Sequence, residues 1–126
     1  MPLFDHFRLF VSDYAAARSF YDPILSLIGY QVVHPNNDAK FAIYQSKDSS
    51  GVLIISPAEE GRLLAPLHFA FSAPSVEIIQ EFHKLALSLG AKDNGKPGIR
   101  AEYAPNYYGA FVVDFDGNNV EFVTHT

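Results

Sequence analysis

Three residues of this chain carry side chains that commonly bind a divalent metal ion: His6, His68 and Glu121. Each lies in a short run with the alternation of a β-strand, and in each run the large apolar side chains fall on the opposite face. Two imidazoles and one carboxylate, with coordination positions left open, suit non-haem Fe(II) or a similar divalent ion. Strand histidines also serve as hydrogen-bonded structural residues, so residue type alone leaves both interpretations open.

The two histidines occupy the same position of an internal repeat. The stretch HFRLFVSDYAAARSFYDPILSLIG from His6 matches HFAFSAPSVEIIQEFHKLALSLG from His68, and Phe20 and Phe82 are separated by the same 62 residues. That offset is about half of the 126 residues, which indicates a duplicated supersecondary module. We therefore expect one domain, 1–126, with modules at about 1–57 and 66–126, a linker at 57–66 and the two histidines facing each other.

The pattern of each module predicts the order βαβββ and an α+β fold. In the first module we expect strands at 6–11, 30–33, 40–45 and 51–56, a helix over 14–28 and a turn at 34–38. The helix contains Asp22-Pro23, where a kink or a fresh start is expected because proline removes a backbone hydrogen bond. In the second module we expect strands at 67–72, 98–103, 109–114 and 119–124, and a helix from Pro74 to Gly90.

Composition excludes several classes of function. With a net charge of −5 and scattered Lys and Arg, the chain has no basic surface for nucleic acid or an anionic membrane. The absence of cysteine excludes disulfides, thiolate zinc sites and cysteine nucleophiles. We expect no signal peptide, because no basic and apolar leader pattern precedes the first strand, and the apolar runs are far shorter than the ~20 residues of a membrane span. We expect a soluble, cytoplasmic protein.

The whole chain resembles the vicinal oxygen chelate superfamily, which includes glyoxalase I, bleomycin-resistance proteins and extradiol dioxygenases. The resemblance rests on HFRLFVSD…ARSFYDPIL…IGY, on the His68 strand and above all on Tyr108 to Glu121 (YGAFVVDFDGNNVE). It implies two tandem βαβββ modules whose sheets form a half-barrel cleft around a metal and substrate.

The ligands in such enzymes come from the first and fourth strands of each module. These positions correspond here to His6, a residue near Ile54, His68 and Glu121. Glyoxalase I-like members carry a carboxylate where this chain has Ile54, which cannot bind a metal. The three remaining residues match the His, His, Glu set of the dioxygenase-like branch.

Further polar residues are candidates for the cleft. Arg8 shares a strand face with His6 and is predicted either to hold a carboxylate or phosphate or to form an ion pair with a neighbouring strand. A polar and aromatic cluster precedes the seventh strand: Arg100, Asn106 and Tyr107 are predicted to bind substrate, and Tyr103 and Tyr108 to transfer protons. Such tyrosines also occur as packing residues whose hydroxyls face water.

These observations predict a metal-dependent enzyme of lyase, isomerase or dioxygenase type that acts on a small oxygenated metabolite. Its cofactor would be a divalent ion (Fe2+, Mn2+, Zn2+ or Ni2+) that chelates two adjacent substrate oxygens. The alternative is a metal-free small-molecule binding protein of the bleomycin-resistance type, which fits the aromatic content of 14% and the acidic charge. The resemblance also implies a homodimer, and no nucleic acid or membrane is expected as a partner.

Overall fold

The computed structural model describes residues 3–33 and 40–125, and the chain divides into two compact units. The first module is Met1–Ala65 and the second is Pro66–Thr126. The turn predicted at 34–38 lies outside the described residues. No helix in the described part of the chain is long and apolar enough to cross a membrane.

The first module has the predicted order of elements. These are β1 (His6–Val11), α1 (Tyr14–Ser26), β2 (Tyr30–Val32), β3 (Ala42–Ser46) and β4 (Val52–Pro57). The sheet order is β1-β4-β3-β2; β1 runs parallel to β4, and the other pairs are antiparallel. Asp13 caps α1 by accepting a 3.0 Å hydrogen bond from the backbone N–H of Ala16, as an N-cap carboxylate commonly does.

Of the two outcomes expected at Asp22-Pro23, the structure excludes the fresh start, because helix α1 continues through Pro23. Proline costs the helix one backbone hydrogen bond and a steric contact. Four side chains next to it are fully buried and fix the helix on the sheet: Phe20, Tyr21, Ile24 and Leu25. Tertiary packing therefore outweighs the local preference of the Asp22-Pro23 pair.

The second module repeats the order. Its elements are β5 (His68–Ser72), α2 (Val76–Ser88), β6 (Lys92–Ile99), β7 (Tyr108–Val113) and β8 (Asn119–Thr124). The sheet order is β5-β8-β7-β6, with β5 parallel to β8. The predicted α+β class with two tandem βαβββ modules is thus confirmed.

Strand β6 is the clearest error of the sequence-based prediction. A strand was expected at 98–103, but it lies at Lys92–Ile99, and 101–103 form a turn. The sequence KDNGKPGI looks like a loop because Gly and Pro usually interrupt strands. β6 is an edge strand with two irregularities in its pairing to β7, and edge strands with bulges tolerate such residues.

The apolar core of the second module lies between α2 and one face of its sheet. Phe82 of α2 stacks on Phe122 of β8 at a centroid distance of 3.9 Å, and both are fully buried. Phe71 of β5 contacts the same Phe122 ring edge-on. Because side chains alternate along a strand, the neighbours of these residues in β5 and β8 face away from the helix.

A polar clasp closes the turn between β7 and β8. The Asp114 carboxylate accepts hydrogen bonds from the backbone N–H groups of Asp116 and Asn118 and from the Asn118 side-chain amide. The Asn118 side-chain oxygen in turn accepts a 2.8 Å hydrogen bond from the backbone N–H of Leu67. The clasp therefore fixes the start of β5, one residue before His68.

Candidate functional site

The open face of the second-module sheet, the one turned away from α2, carries the candidate site. In the parallel pair of β5 and β8, His68 lies opposite Asn119 and Ala70 lies opposite Glu121. Residues paired in this way point to the same side of a sheet. Two predicted metal ligands, His68 and Glu121, are therefore neighbours on one face.

Glu121 is the centre of this arrangement. It is 1% exposed, and its Oε1 lies 2.9 Å from Nε2 of His68. Its Oε2 accepts a hydrogen bond from the hydroxyl of Tyr107. A buried carboxylate requires such partners because removing a charge from water is costly unless it is hydrogen-bonded. Each carboxylate oxygen is thus held by a different side chain.

Tyr107 is a hydrogen-bond donor in this cluster. Burial and the hydrogen bond to Glu121 raise the pKa of its phenol. Burial disfavours the charged phenolate, and the nearby carboxylate disfavours it further. The phenol therefore stays protonated at neutral pH, and its role is to fix the position of the carboxylate.

Gly109 provides the space that Glu121 occupies. A Cβ atom at this position would lie 3.1 Å from Oε2 of Glu121 and 3.3 Å from the ring of Tyr107. Both distances are tighter than ordinary van der Waals contact. A side chain at position 109 would displace the carboxylate or the phenol.

Asn119 places a further acceptor on the open face. Its side-chain oxygen is buried and accepts no hydrogen bond from any residue in 3–33 or 40–125. Buried polar atoms nearly always have a partner, so an orphaned acceptor beside His68 and Glu121 marks a position for a ligand or a water molecule.

Aromatic rings surround these polar groups. The ring of Phe111, opposite Glu121 in the pair of β7 and β8, lies 6.1 Å from the imidazole of His68. Tyr103 packs edge-on against Tyr107 at 5.1 Å. The Arg100 guanidinium lies 5.4 Å from the centroid of Phe111. The open face of this module therefore combines polar donors with apolar surface, as small-molecule sites do.

The remaining predicted site residues of this module lie elsewhere. Tyr108 accepts a 3.2 Å hydrogen bond from Gln80 of α2, so its hydroxyl is on the helix side of the sheet. Asn106 is exposed in the turn before β7. The structure thus places Tyr103, Tyr107 and Arg100 on the open face but does not bring Tyr108 to it.

In the first module, His6 and Arg8 point to the side of the sheet away from α1. Nδ1 of His6 lies 2.8 Å from the Asp5 carboxylate, and Arg8 donates a 3.2 Å hydrogen bond to the Ser56 hydroxyl. Arg8 pairs in register with Ile54. Ile54 therefore occupies the position that Glu121 occupies in the second module.

The donor set of the second module suits a divalent ion. Two ligand atoms at adjacent positions around an octahedral ion lie about 3 Å apart when each bond is about 2.1 Å. The 2.9 Å separation of His68 Nε2 and Glu121 Oε1 matches that spacing. Within the described ranges, no group of three or more His, Asp or Glu side chains is arranged to hold a metal ion. The structure thus brings together two of the three predicted ligands.

Two participants were not singled out from the sequence. For Asn119 the available signal was its spacing of two residues from Glu121, which puts both on the same face of β8. Gly109 gave no signal, because its importance depends on how close Glu121 comes to the backbone of β7.

The chain is similar to proteins of known structure over almost its entire length. A glyoxalase/bleomycin resistance protein from Albidiferax ferrireducens T118 superposes with a TM-score of 0.82 at 25% identity, covering 97% of this chain and 98% of that one. A glyoxalase-related enzyme from Fulvimarina pelagi gives 0.72 at 15% identity, covering 98% and 88%. The fosfomycin resistance protein FosX of Listeria monocytogenes, solved as a variant with Mn(II) and 1S,2S-dihydroxypropylphosphonic acid, gives 0.72 at 17% identity, covering 100% and 92%.

Two sequence comparisons were made: one finds no match, and the other identifies the same family as the structures. No curated protein matches the chain in sequence. The family model described as Glyoxalase/Bleomycin resistance protein/Dioxygenase superfamily matches residues 3–122. Together with the two βαβββ modules, this match shows that the chain belongs to the glyoxalase/bleomycin resistance protein/dioxygenase superfamily.

Proposed function

We propose that the chain is a metal-dependent enzyme of lyase, isomerase or dioxygenase type, and that it binds a small oxygenated metabolite at the second-module site. The observation that carries this proposal is the environment of Glu121. Its carboxylate is buried, and its partners among the described residues are an imidazole and a phenol, not a lysine or arginine. Imidazole and carboxylate are the ligand types that non-haem divalent metal sites use, and no lysine or arginine side chain competes for this carboxylate among the described residues.

His68 and Glu121 would hold the ion, and the resemblance adds His6 as a third ligand, which stays a prediction. When bound, a divalent ion would supply Lewis acidity to two adjacent oxygens of the substrate. Tyr107 acts as a positioning residue because its hydroxyl orients the Glu121 carboxylate. Tyr103, which is exposed and packs on Tyr107, remains the candidate for proton transfer at this face.

A specific observation favours a second candidate, a metal-free small-molecule binding protein. Both oxygens of Glu121 already accept hydrogen bonds, so the carboxylate is satisfied without an ion. In that case the cluster would fix the shape of the face, and Asn119 and the aromatic rings would contact the ligand.

Metal binding separates the two candidates. We expect the purified protein, loaded with Mn(II), Ni(II) or Zn(II) and then dialysed, to retain about one ion per chain by elemental analysis. Glu121→Gln and His68→Asn are expected to abolish this retention, and His6→Ala tests the predicted third ligand. Tyr107→Phe is expected to weaken metal affinity by about 10- to 100-fold, the usual effect of losing a group that orients a ligand.

The second module contains a matched control. His83 of α2 and Asp93 of β6 also form a histidine–carboxylate pair, with Nε2 and Oδ1 2.9 Å apart, on the helix side of the same sheet. The Asp93→Asn and His83→Asn variants should bind metal as the wild type does. If the wild type retains no ion, the metal-binding proposal is wrong and the metal-free candidate takes its place. If Asp93→Asn and His83→Asn lose the ion as completely as Glu121→Gln and His68→Asn, the assignment of the ion to Glu121 and His68 is wrong.

Cellular location and assembly are part of the same proposal. We propose a cytoplasmic homodimer, supported by the family resemblance and by the absence of a membrane-spanning helix among the described residues. Sedimentation of the purified chain tests the dimer, and a monomer at micromolar concentration would contradict it.

A further inference from the structure

The Arg100 side chain lies beside the candidate site without a carboxylate partner. Its backbone N–H donates to the carbonyl of Tyr107 at 2.8 Å, which extends the pairing of β6 and β7 by one residue. Its Nη2 donates to the backbone carbonyl of Lys96 at 2.6 Å. No Asp or Glu within the described residues forms an ion pair with it. A half-buried guanidinium thus keeps most of its five N–H donors available.

The position of this guanidinium depends on two glycines of β6. A Cβ atom at Gly98 would lie 3.0 Å from Nη1 of Arg100, and one at Gly95 would lie 3.2 Å from Nη2 and 2.8 Å from the Phe111 ring. Any larger residue would push the guanidinium away from Phe111. The two glycines, the Phe111 ring and the Lys96 carbonyl therefore hold the cation in one place.

Arg100 is on the same face as Glu121. It pairs with Tyr107, whose hydroxyl binds the Glu121 carboxylate. Its ring partner Phe111 lies opposite Glu121 in the pair of β7 and β8 and also contacts His68. A ligand in contact with the His68–Glu121 pair would therefore extend towards the guanidinium.

We propose that Arg100 binds an oxyanion group of the ligand, namely a phosphate, phosphonate or carboxylate. This inference rests on the proposed ligand site for its location. Arginine recognises such groups through two parallel N–H···O bonds, and a cation already held in place loses little conformational entropy on binding. The substrate is thus an acidic metabolite, although the chain itself carries a net charge of −5.

The test uses the metal-free protein in EDTA, so that no ion competes for the probe. We expect inorganic phosphate, methylphosphonate or acetate to give saturable NMR shifts of the Arg100 Nε–H and of the Gly95 and Gly98 backbone amides. Comparing the three probes identifies which oxyanion is preferred. Arg100→Gln should weaken the affinity for the preferred probe at least about tenfold, because charge-assisted hydrogen bonds are lost.

Two further variants keep the test informative if Arg100→Gln folds poorly. Arg100→Lys retains the charge but loses the bidentate geometry, and Gly98→Ala retains the arginine but displaces it. Gly98 does not have a left-handed φ, so the alanine is compatible with its backbone. Both variants should bind the preferred probe with several-fold lower affinity than the wild type.

Controls separate this inference from the metal-binding proposal. Arg62→Gln removes an exposed arginine that pairs with Glu59 and should leave probe binding unchanged. Glu121→Gln should lose metal but keep oxyanion binding. No saturable shift up to tens of millimolar probe, or equal binding by the wild type and Arg100→Gln, would overturn the assignment to Arg100, whatever the metal result.

Discussion

In the first module Arg8 faces Ile54 across β1 and β4, whereas in the second Ala70 faces Glu121 across β5 and β8. The topology and the strand register are the same, so these are equivalent positions. The duplicated fold thus carries a cation on the first strand of one module and an anion on the fourth strand of the other. Duplication fixed the backbone while the chemistry of each copy diverged.

Each module also contains a tyrosine–carboxylate pair, but on opposite sides of its sheet. In the first module Tyr44 donates a 2.5 Å hydrogen bond to Asp22 of α1, on the helix side, and Arg18 binds the same carboxylate. In the second module Tyr107 donates to Glu121 on the open face. The first pair joins a helix to its sheet, so its role is structural. The second lies on the face that carries the candidate site, next to the exposed His68.

The largest expected effects are equal in the two modules. Phe20 and Phe82 occupy equivalent positions of the repeat, and both are fully buried. Substituting either by alanine should reduce the free energy of unfolding by about 3–5 kcal/mol, because apolar contacts are lost and a cavity forms. Urea denaturation measures this, with Leu63→Ala, at 95% exposure, as a neutral control. A much smaller loss for one of them would show that the two cores are not equivalent.

The two carboxylates should differ in their effect on stability. Asp22→Ala leaves the fully buried Tyr44 hydroxyl without a partner and should cost about 1–3 kcal/mol. Adding Tyr44→Phe to this variant should recover part of the loss, since no buried donor then remains unsatisfied. Glu121→Gln should cost less, because the amide still accepts a hydrogen bond and His68 is 57% exposed. Equal losses in denaturant titrations would contradict the division into a structural and a functional pair.

The smallest expected effect is a loss of stability at alkaline pH, caused by ionisation of Tyr107. Folding raises the pKa of Tyr107 above its ordinary value of 10.0, so the folded state binds this proton more tightly than the unfolded one. The resulting stability is fully present below pH 10.0 and is lost as the pH rises through the folded-state pKa. The tyrosinate absorbance of the wild type minus that of Tyr107→Phe should therefore develop above pH 10.0.

Glu121→Gln should move this transition only part of the way back, because burial is the larger cause of the shift. Tyr44, whose pKa burial and Asp22 also raise, provides the matched phenol in the first module. A Tyr107 transition at the ordinary phenol value would mean that the phenol is neither buried nor bound to the carboxylate.

The sequence predicted those features that depend on local periodicity. The alternation of β5 and β8 correctly placed His68 and Glu121 on the face away from Phe71 and Phe122. The repeat predicted two βαβββ modules because each copy contains the same order of apolar runs. The strand β6 escaped prediction because Gly95 and Gly98 oppose strand formation locally and are accommodated only at an irregular sheet edge.

Features of the site that depend on distant contacts were not accessible to sequence reasoning. The bond from Tyr107 to Glu121 links residues separated by the whole β7–β8 hairpin. The Arg100 guanidinium lies against Gly95, Gly98 and the Lys96 carbonyl of the preceding strand β6, and against the Phe111 ring of the neighbouring strand β7. Neither leaves a periodic signal, because each is specified by tertiary geometry and not by the spacing of neighbours.

The Asp114–Asn118 clasp has a consequence for how this protein is recognised and redesigned. The stretch that most clearly marks the superfamily includes these two residues, and they bind the chain segment ahead of His68. Part of what marks the superfamily in this stretch is therefore a scaffold contact between the β7–β8 turn and the start of β5. A designer who changes residues of the open face should therefore leave Asp114 and Asn118 in place, because they anchor the strand that carries His68.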